Sequence, residues 1–201
     1  MESNRVEAFS DGVFAIIITI MVLELKVPHG SDWAALQPVV PIFFNYVLSF
    51  VYLGIYWNNH HHLLKACGRV TGGVLWANLH LLFWLSLFPF VTAWLGENYA
   101  SPARTFAAVP SALYGAVLLL ASIAYLILQT TLINAQAEGC ESQLALALGN
   151  DWKGKLSPIL YAIAIASSFI HPWIAGGIYV LVALIWLVPD RRIERALLAD
   201  R

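Results

Sequence analysis

Six long apolar runs, separated by charged residues, proline and glycine, are the feature that most restricts the fold of this chain. An ordinary soluble domain is about 45–50% apolar and about 25% charged, whereas this chain is 60% hydrophobic and 11% charged. A helix that crosses a bilayer needs about 20 mainly apolar residues. The sequence therefore predicts an all-α, polytopic membrane protein with six transmembrane helices, at residues 7–25, 40–63, 71–95, 106–128, 157–171 and 173–189.

The connections between these runs also carry signals. Pro172 lacks an N–H and disfavours helical geometry at the residue before it, so we expect a sharp turn at His171-Pro172, with one long kinked helix as the alternative. The longest polar connection is expected between Gln129 and Ser157. Because no motif occurs twice, residues 1–201 are predicted to form a single six-helix transmembrane domain.

Basic residues are distributed unevenly between the two sides of a six-span chain. Two of them, Lys26 and Arg104, lie on one side, and nine lie on the side of both termini, namely Arg5, Lys65, Arg69, Lys153, Lys155, Arg191, Arg192, Arg195 and Arg201. Since cytoplasmic loops carry the excess of Lys and Arg, we predict cytoplasmic termini in a multi-pass protein of the inner (plasma) membrane. The net charge of −1 excludes the basic surface of a nucleic-acid-binding protein.

The first span contains an acidic residue close to its start. Asn4 followed by Glu7 fits a helix-capping pattern, which places Asp11 about two turns into the helix, at the inner edge of the hydrocarbon. A carboxylate at that depth needs partners or water and is a functional candidate by default. The alternative is that Asp11 lies at the interface and is solvated by headgroups.

Beyond Asp11 the helix is apolar on every side except at Thr19. Ile16, Ile20 and Leu23 have i, i+4, i+7 spacing and share one stripe. On a lone helix such a stripe faces lipid or core, whereas copies of the helix around an axis would form rings that gate by expelling water. The Thr19 hydroxyl could face that axis, or bond back to the carbonyl of Ala15.

The motif Arg5-x-x-x-Phe9-Ser10-Asp11-Gly12 at the start of an apolar helix resembles the RxxxFSD signature of the lysosomal and endosomal potassium channel family. In that family the signature opens each six-helix repeat, and bacterial members have a single repeat. The segment Phe88-Pro89-Phe90 in the third span is similar to the family's FPF-type segment.

The resemblance implies a homotetrameric, potassium-permeable cation channel, with a pore lined by the first transmembrane helix. It places the family's hydrophobic constriction on Ile16, Ile20 and Leu23 and its pore-facing threonine on Thr19. The implied partners are potassium, other monovalent cations and the lipid bilayer. The family's activity is ion permeation rather than enzyme catalysis, and no cofactor is predicted.

Histidines and asparagines supply the remaining polar candidates. The second span ends in Asn58-Asn59-His60-His61-His62, at the depth of the signature. We expect a network of Arg5, Ser10, Asp11 and one of these histidines, with a solvated interfacial cluster as the alternative. In the third span, a free imidazole is costly, so we expect at least one of Asn78 and His80 to face protein and to form a hydrogen bond. A structural role for His80 as a partner of the first helix is favoured over metal or haem ligation, because no CxxCH motif is present.

Two other functions compete with the channel. One is a proton-coupled secondary transporter that uses Asp11 and the membrane histidines, although inverted repeats are not evident in the sequence. The other is a haem or quinone redox protein, which an absorption spectrum would identify.

Overall fold

A computed structural model of the protein describes residues 3–65, 70–100, 108–136 and 152–187. No strand occurs in these ranges, and the predicted all-α class is confirmed. The helices are α1 (Ser3–Leu23), α2 (Trp33–Leu36), α3 (Val39–Lys65), α4 (Gly72–Ser86), α5 (Phe88–Ala100), α6 (Ala108–Gln136), α7 (Trp152–Ser168) and α8 (Pro172–Leu187).

Four stretches of helix are long and apolar enough to cross a membrane: Ser3–Leu23, Val39–Lys65, Gly72–Asn98 and Ala108–Ala135. They coincide with the first four predicted spans. Helices α7 and α8 match the fifth and sixth runs but are shorter, at 17 and 16 residues. Of the basic residues used to predict the orientation, several lie outside the described residues: Arg69, Arg104, Arg191, Arg192, Arg195 and Arg201.

The third span is broken into two helices, which the sequence analysis did not anticipate. Helix α4 ends at Ser86, and Leu87 lies between it and α5. Pro89 has no N–H to donate and disfavours helical geometry at the preceding residue. The amide of Val91 resumes the helical pattern with a 3.1 Å bond to the carbonyl of Leu87, so the interruption is confined to one turn.

Helix α6 continues beyond the predicted end of the fourth span at residue 128. Thr131 donates a 2.7 Å hydrogen bond to the carbonyl four residues before it, which satisfies its hydroxyl within the helix. The prediction of a polar connection over residues 129–157 is therefore wrong at both ends, because α6 reaches Gln136 and α7 begins at Trp152. The turn predicted at His171-Pro172 is confirmed: α7 ends at Ser168 and α8 begins at Pro172.

Each helix of the bundle has a defined set of neighbours. Helix α1 packs on α3, α5 and α4, and α6 packs on α4, α5, α7 and α8. Helix α8 packs mainly on α7, α3 and α6. The candidate pore helix α1 and the last helix α8 are thus both neighbours of α3.

Tyrosines fill much of the region between α3, α6, α7 and α8. Tyr52, Tyr114, Tyr161 and Tyr179 are fully buried. The hydroxyl of Tyr52 donates to the carbonyl of Tyr179 at 2.5 Å, and the hydroxyl of Tyr114 lies 3.1 Å from that of Ser49. Because buried hydroxyls without partners are costly, these bonds restrict how the helices can be packed together.

Candidate pore helix and its polar anchor

Helix α1 has one face turned into the bundle and one face turned away from it. The buried face has helical spacing and consists of Val6, Ser10, Phe14, Ile17 and Met21. The predicted constriction lies on the other side, where Ile16 is 58% exposed, Ile20 42% and Leu23 79%. The three side chains therefore have no place in the chain's own core and are available to lipid or to a neighbouring copy.

Thr19 also lies on the exposed side of α1. Its hydroxyl donates to the carbonyls of Ala15 at 3.0 Å and Ile16 at 2.9 Å, so the expected back-bond is present. A hydroxyl has one donor and two acceptor lone pairs. Since the proton of Thr19 points to the backbone, its oxygen lone pairs remain available on the outer surface of the helix, and the back-bond is compatible with a role beside a cation path.

The buried face of α1 is anchored by three polar side chains from three helices. Ser10 donates to the carbonyl of Val6 at 2.8 Å and accepts from Nδ2 of Asn78 at 3.1 Å. This orients the amide so that its Oδ1 lies 2.7 Å from Nε2 of His60. All three side chains are buried, and α1, α4 and α3 are thereby connected at one level.

Two further contacts join α1 to α3 nearby. Nε1 of Trp57 donates to Oδ1 of Asp11 at 2.9 Å. Nδ1 of His61 lies 2.5 Å from Oε1 of Glu7. The carboxylates on the first three turns of α1, Glu7 and Asp11, therefore both meet aromatic or imidazole nitrogens of α3.

The predicted single network is split in the structure. Ser10 reaches a histidine through Asn78, whereas Asp11 bonds to Trp57 instead. Arg5 is exposed and forms no ion pair with a described residue. Phe9 is exposed as well. The signature thus contributes two residues to contacts within the chain and leaves its arginine and phenylalanine on the surface.

The role predicted for His80 is filled within the chain by His60. His80 is exposed, and its Nε2 accepts a 2.9 Å hydrogen bond from Nε1 of Trp84, four residues later on the same helix. The sequence contained a signal for this difference. Val74, Asn78, Leu81 and Leu85 have helical spacing and are buried together, whereas His80 is about 200° from Asn78 around the helix.

The opposite end of α1 has a different kind of link. Beyond the helix, Lys26 forms an exposed ion pair with Glu97 at the end of α5. The hydrogen bond and the charge of Glu97 raise the pKa of Lys26 above its usual value. Since exposed pairs are screened by water and salt, this link is weaker than the buried anchor around Ser10.

Comparisons with known proteins identify the family to which this chain belongs. The sequence model of the family described as endosomal/lysosomal potassium channel TMEM175 matches residues 5–89, which include most of α1, all of α2, α3 and α4, and the start of α5. A protein from Chryseobacterium sp. (strain P1-3) described as a potassium channel is 55% identical over 98% of this chain and 98% of its own length. The chain belongs to the TMEM175 potassium channel family.

Solved and more distant TMEM175 proteins agree with this assignment. A crystal structure described as a lysosomal potassium-selective channel TMEM175 homolog, from Chamaesiphon minutus, superposes with a TM-score of 0.76 at 29% identity and covers 94% of this chain and 98% of that one. The human protein described as endosomal/lysosomal proton channel TMEM175 is 31% identical over 69% of this chain but only 29% of its own length.

Proposed function

We propose that this TMEM175 chain forms a homotetrameric, potassium-permeable cation channel whose pore is lined by four copies of α1. The observation that carries the proposal is the division of α1 into an anchored face and an exposed apolar face. The buried bonds of Ser10 fix the rotation of the helix. With that rotation, Ile16, Ile20 and Leu23 point away from the chain's own core and would meet their copies around a shared axis.

The spacing of these residues suits a hydrophobic constriction. At about 1.5 Å per residue, the rings of Ile16 and Ile20 would lie about 6 Å apart along the axis, and that of Leu23 about 4.5 Å further on. Stacked apolar rings close a narrow pore by expelling water. Thr19, between the first two rings, would offer oxygen lone pairs to a cation that has lost part of its hydration shell.

The topology that goes with this function has six membrane crossings with both termini in the cytoplasm, in the inner membrane. Helices α7 and α8, at about 1.5 Å per residue, reach about 25 Å, which is slightly less than the hydrocarbon thickness of about 30 Å. They complete a pair of crossings joined by the turn at Pro172. The four longer stretches of helix supply the other four crossings.

The constriction can be tested by potassium flux from liposomes that contain the purified channel. In Ile16→Asn, a polar ring would hold water in the constriction, and we expect potassium flux to rise about tenfold, as for a barrier lowered by about 1.4 kcal/mol. Selectivity against sodium should fall. Ile159→Asn on α7 is the matched control, because Ile159 is also 58% exposed but lies outside the proposed pore. Equal potassium flux in both variants and the wild type would show that Ile16 does not form the gate.

The same liposomes distinguish the channel from a proton-coupled transporter. A transporter would show flux that saturates with potassium concentration and requires a proton gradient, whereas a pore conducts without a coupled ion. The structure gives the transporter little support, because Asp11 and His60 are bonded to Trp57 and Asn78 and not to each other.

A further inference from the structure

We propose that Phe9 forms a further apolar ring of the permeation path, two helical turns before Ile16, and that Gly12 leaves a wider chamber between the two rings. This inference rests on the proposed pore lined by α1 and adds the part of the path on the N-terminal side of the constriction. Phe9 belongs to the signature motif, yet it lies outside the chain's own core.

The direction of Phe9 is set by the residue that follows it. Ser10 is buried and accepts a hydrogen bond from Asn78. Adjacent residues of an α-helix point about 100° apart, and Phe9 is accordingly turned outward, where it is 56% exposed. Seven residues make almost two full turns of an α-helix, so Phe9 and Ile16 lie on the same side of α1. A pore axis that faces Ile16 therefore also faces Phe9.

Arg5 indicates where this side of α1 meets water. It lies one turn before Phe9 on the same side of the helix, it is exposed, and it forms no ion pair with a described residue. A charged side chain is costly in hydrocarbon and is placed where water can reach it. Phe9 is therefore the first large apolar side chain that an ion would pass from this end of α1.

Between Phe9 and Ile16, the same side of α1 carries a glycine. Gly12 is exposed, and a side chain added there would meet no atom within 4 Å. At about 1.5 Å per residue, Gly12 lies about 4.5 Å from the level of Phe9 and about 6 Å from that of Ile16. Four copies around an axis would therefore leave a chamber at Gly12 that is wider than the ring on either side.

The acidic residue at this level is turned away from the chamber. Asp11 lies about 200° from Phe9 around the helix, and its Oδ1 accepts a hydrogen bond from Trp57 of α3. Apolar rings expel water from a narrow path. A cation would therefore lose water at Phe9, regain it in the chamber at Gly12 and lose it again at Ile16.

The competing interpretation is that Phe9 packs against lipid acyl chains. The two interpretations differ in whether water reaches this side chain. The exposed charge of Arg5 on the same side of α1 favours a path that contains water. A reagent that dissolves in water but not in lipid distinguishes them directly.

The test applies a cationic methanethiosulfonate reagent to both sides of liposomes that contain the channel, in a background with Cys67→Ser and Cys140→Ser. We expect the thiol of Phe9→Cys to be modified and potassium flux to fall about tenfold, as for a barrier raised by about 1.4 kcal/mol, because a bulky cation is then fixed in the path.

Trp76→Cys is the matched control for this measurement. Trp76 is also an exposed aromatic residue, at 76%. It lies two residues before Asn78, whose amide bonds to Ser10 beside Phe9, so the two side chains are at similar levels on different helices. Treatment of Trp76→Cys should leave potassium flux unchanged.

A second variant tests the chamber without a reagent. Gly12→Leu adds a side chain where the chain itself has open space, so the fold should be retained while potassium flux falls about tenfold. Gly177→Leu on α8 is the control, because a side chain there also meets no atom within 4 Å. Wild-type flux in Gly12→Leu would contradict the chamber.

The same reagent applied to Leu23→Cys separates this inference from the proposed function. Suppose that it blocks flux through Leu23→Cys but leaves Phe9→Cys unmodified, or modifies it without loss of flux. The pore lined by α1 is then retained and the ring of Phe9 is overturned. If the reagent reduces flux in neither variant, the proposed pore is overturned together with the ring.

Discussion

Asn78 is the residue on which the position of α1 depends most directly. It lies between Ser10 and His60 and uses both ends of its amide. The sequence drew attention to the signature and to the charged and histidine side chains, because ionisable groups in a membrane are conspicuous. The sequence named Asn78 with His80 as polar groups of which at least one should face protein, and the buried stripe that Asn78 shares with Val74 and Leu81 shows that it is the amide.

Replacement of Asn78 should destabilise the protein more than replacement of its neighbour two residues later. In Asn78→Leu, Nε2 of His60 loses its amide partner and Ser10 keeps only its bond to the carbonyl of Val6, at a cost of about 1–3 kcal/mol. His80→Leu removes only an exposed bond to Trp84 and should cost less. Thermal unfolding of the purified variants in one detergent measures the difference. Equal losses of thermal stability would show that the bonds of Asn78 do not anchor α1.

At the level of helices, the apolar runs predicted where helices occur, and the ends and breaks escaped prediction for identifiable reasons. The polar side chain of Thr131 does not end α6, because its hydroxyl is satisfied by a carbonyl within the helix. Leu87 interrupts the third span because Pro89 follows two residues later. Both effects depend on single side chains, which an average of hydropathy over many residues does not detect. The turn at Pro172 was predictable because this proline separates two complete apolar runs.

The contact of Gly115 in α6 with a tyrosine of α8 provides a prediction at this scale. A Cβ at Gly115 of α6 would lie 2.2 Å from the hydroxyl oxygen of Tyr179 in α8. That hydroxyl donates to the carbonyl of Ser111 at 2.9 Å. Gly115→Ala should force the tyrosine away and lower the free energy of unfolding by about 1–3 kcal/mol.

The control for this prediction is Gly177→Ala, where a new methyl group meets open space. Thermal unfolding with the hydroxyl-lacking variant Tyr179→Phe alongside shows whether the lost bond or the crowding dominates. If Gly115→Ala unfolds at the wild-type temperature, α6 and α8 are less closely packed than the structure shows.

For the whole molecule, a single sequence determines the surface of one subunit but does not reveal how many subunits assemble. The expectation of a tetramer comes only from the resemblance to the potassium channel family. Considered alone, the exposed stripe on α1 is equally compatible with a lipid-facing surface. The orientation in the membrane likewise depends on basic residues that are spread over the whole chain.

Cross-linking can establish whether α1 surrounds an axis. In a background with Cys67→Ser and Cys140→Ser, Leu23→Cys should form disulfides between copies when the membranes are oxidised, because residues on one ring approach each other. Ile159→Cys is the control on a surface away from α1. Covalent dimers in both variants, or in neither, would contradict a pore lined by α1.

The unequal attachment of the two ends of α1 determines how such a pore could widen. Among the described residues, buried polar bonds hold the helix at Ser10, apolar packing of Phe14, Ile17 and Met21 continues beyond it, and the exposed Lys26–Glu97 pair follows its other end. A tilt of α1 about its polar anchor would make the helix a lever with its pivot at Ser10. At about 1.5 Å per residue, Leu23 is about 20 Å from the pivot and Ile16 about 9 Å. A given tilt moves Leu23 about twice as far as Ile16. The conduit would therefore widen most at Leu23, and Ile16 would remain the narrowest point of the constriction.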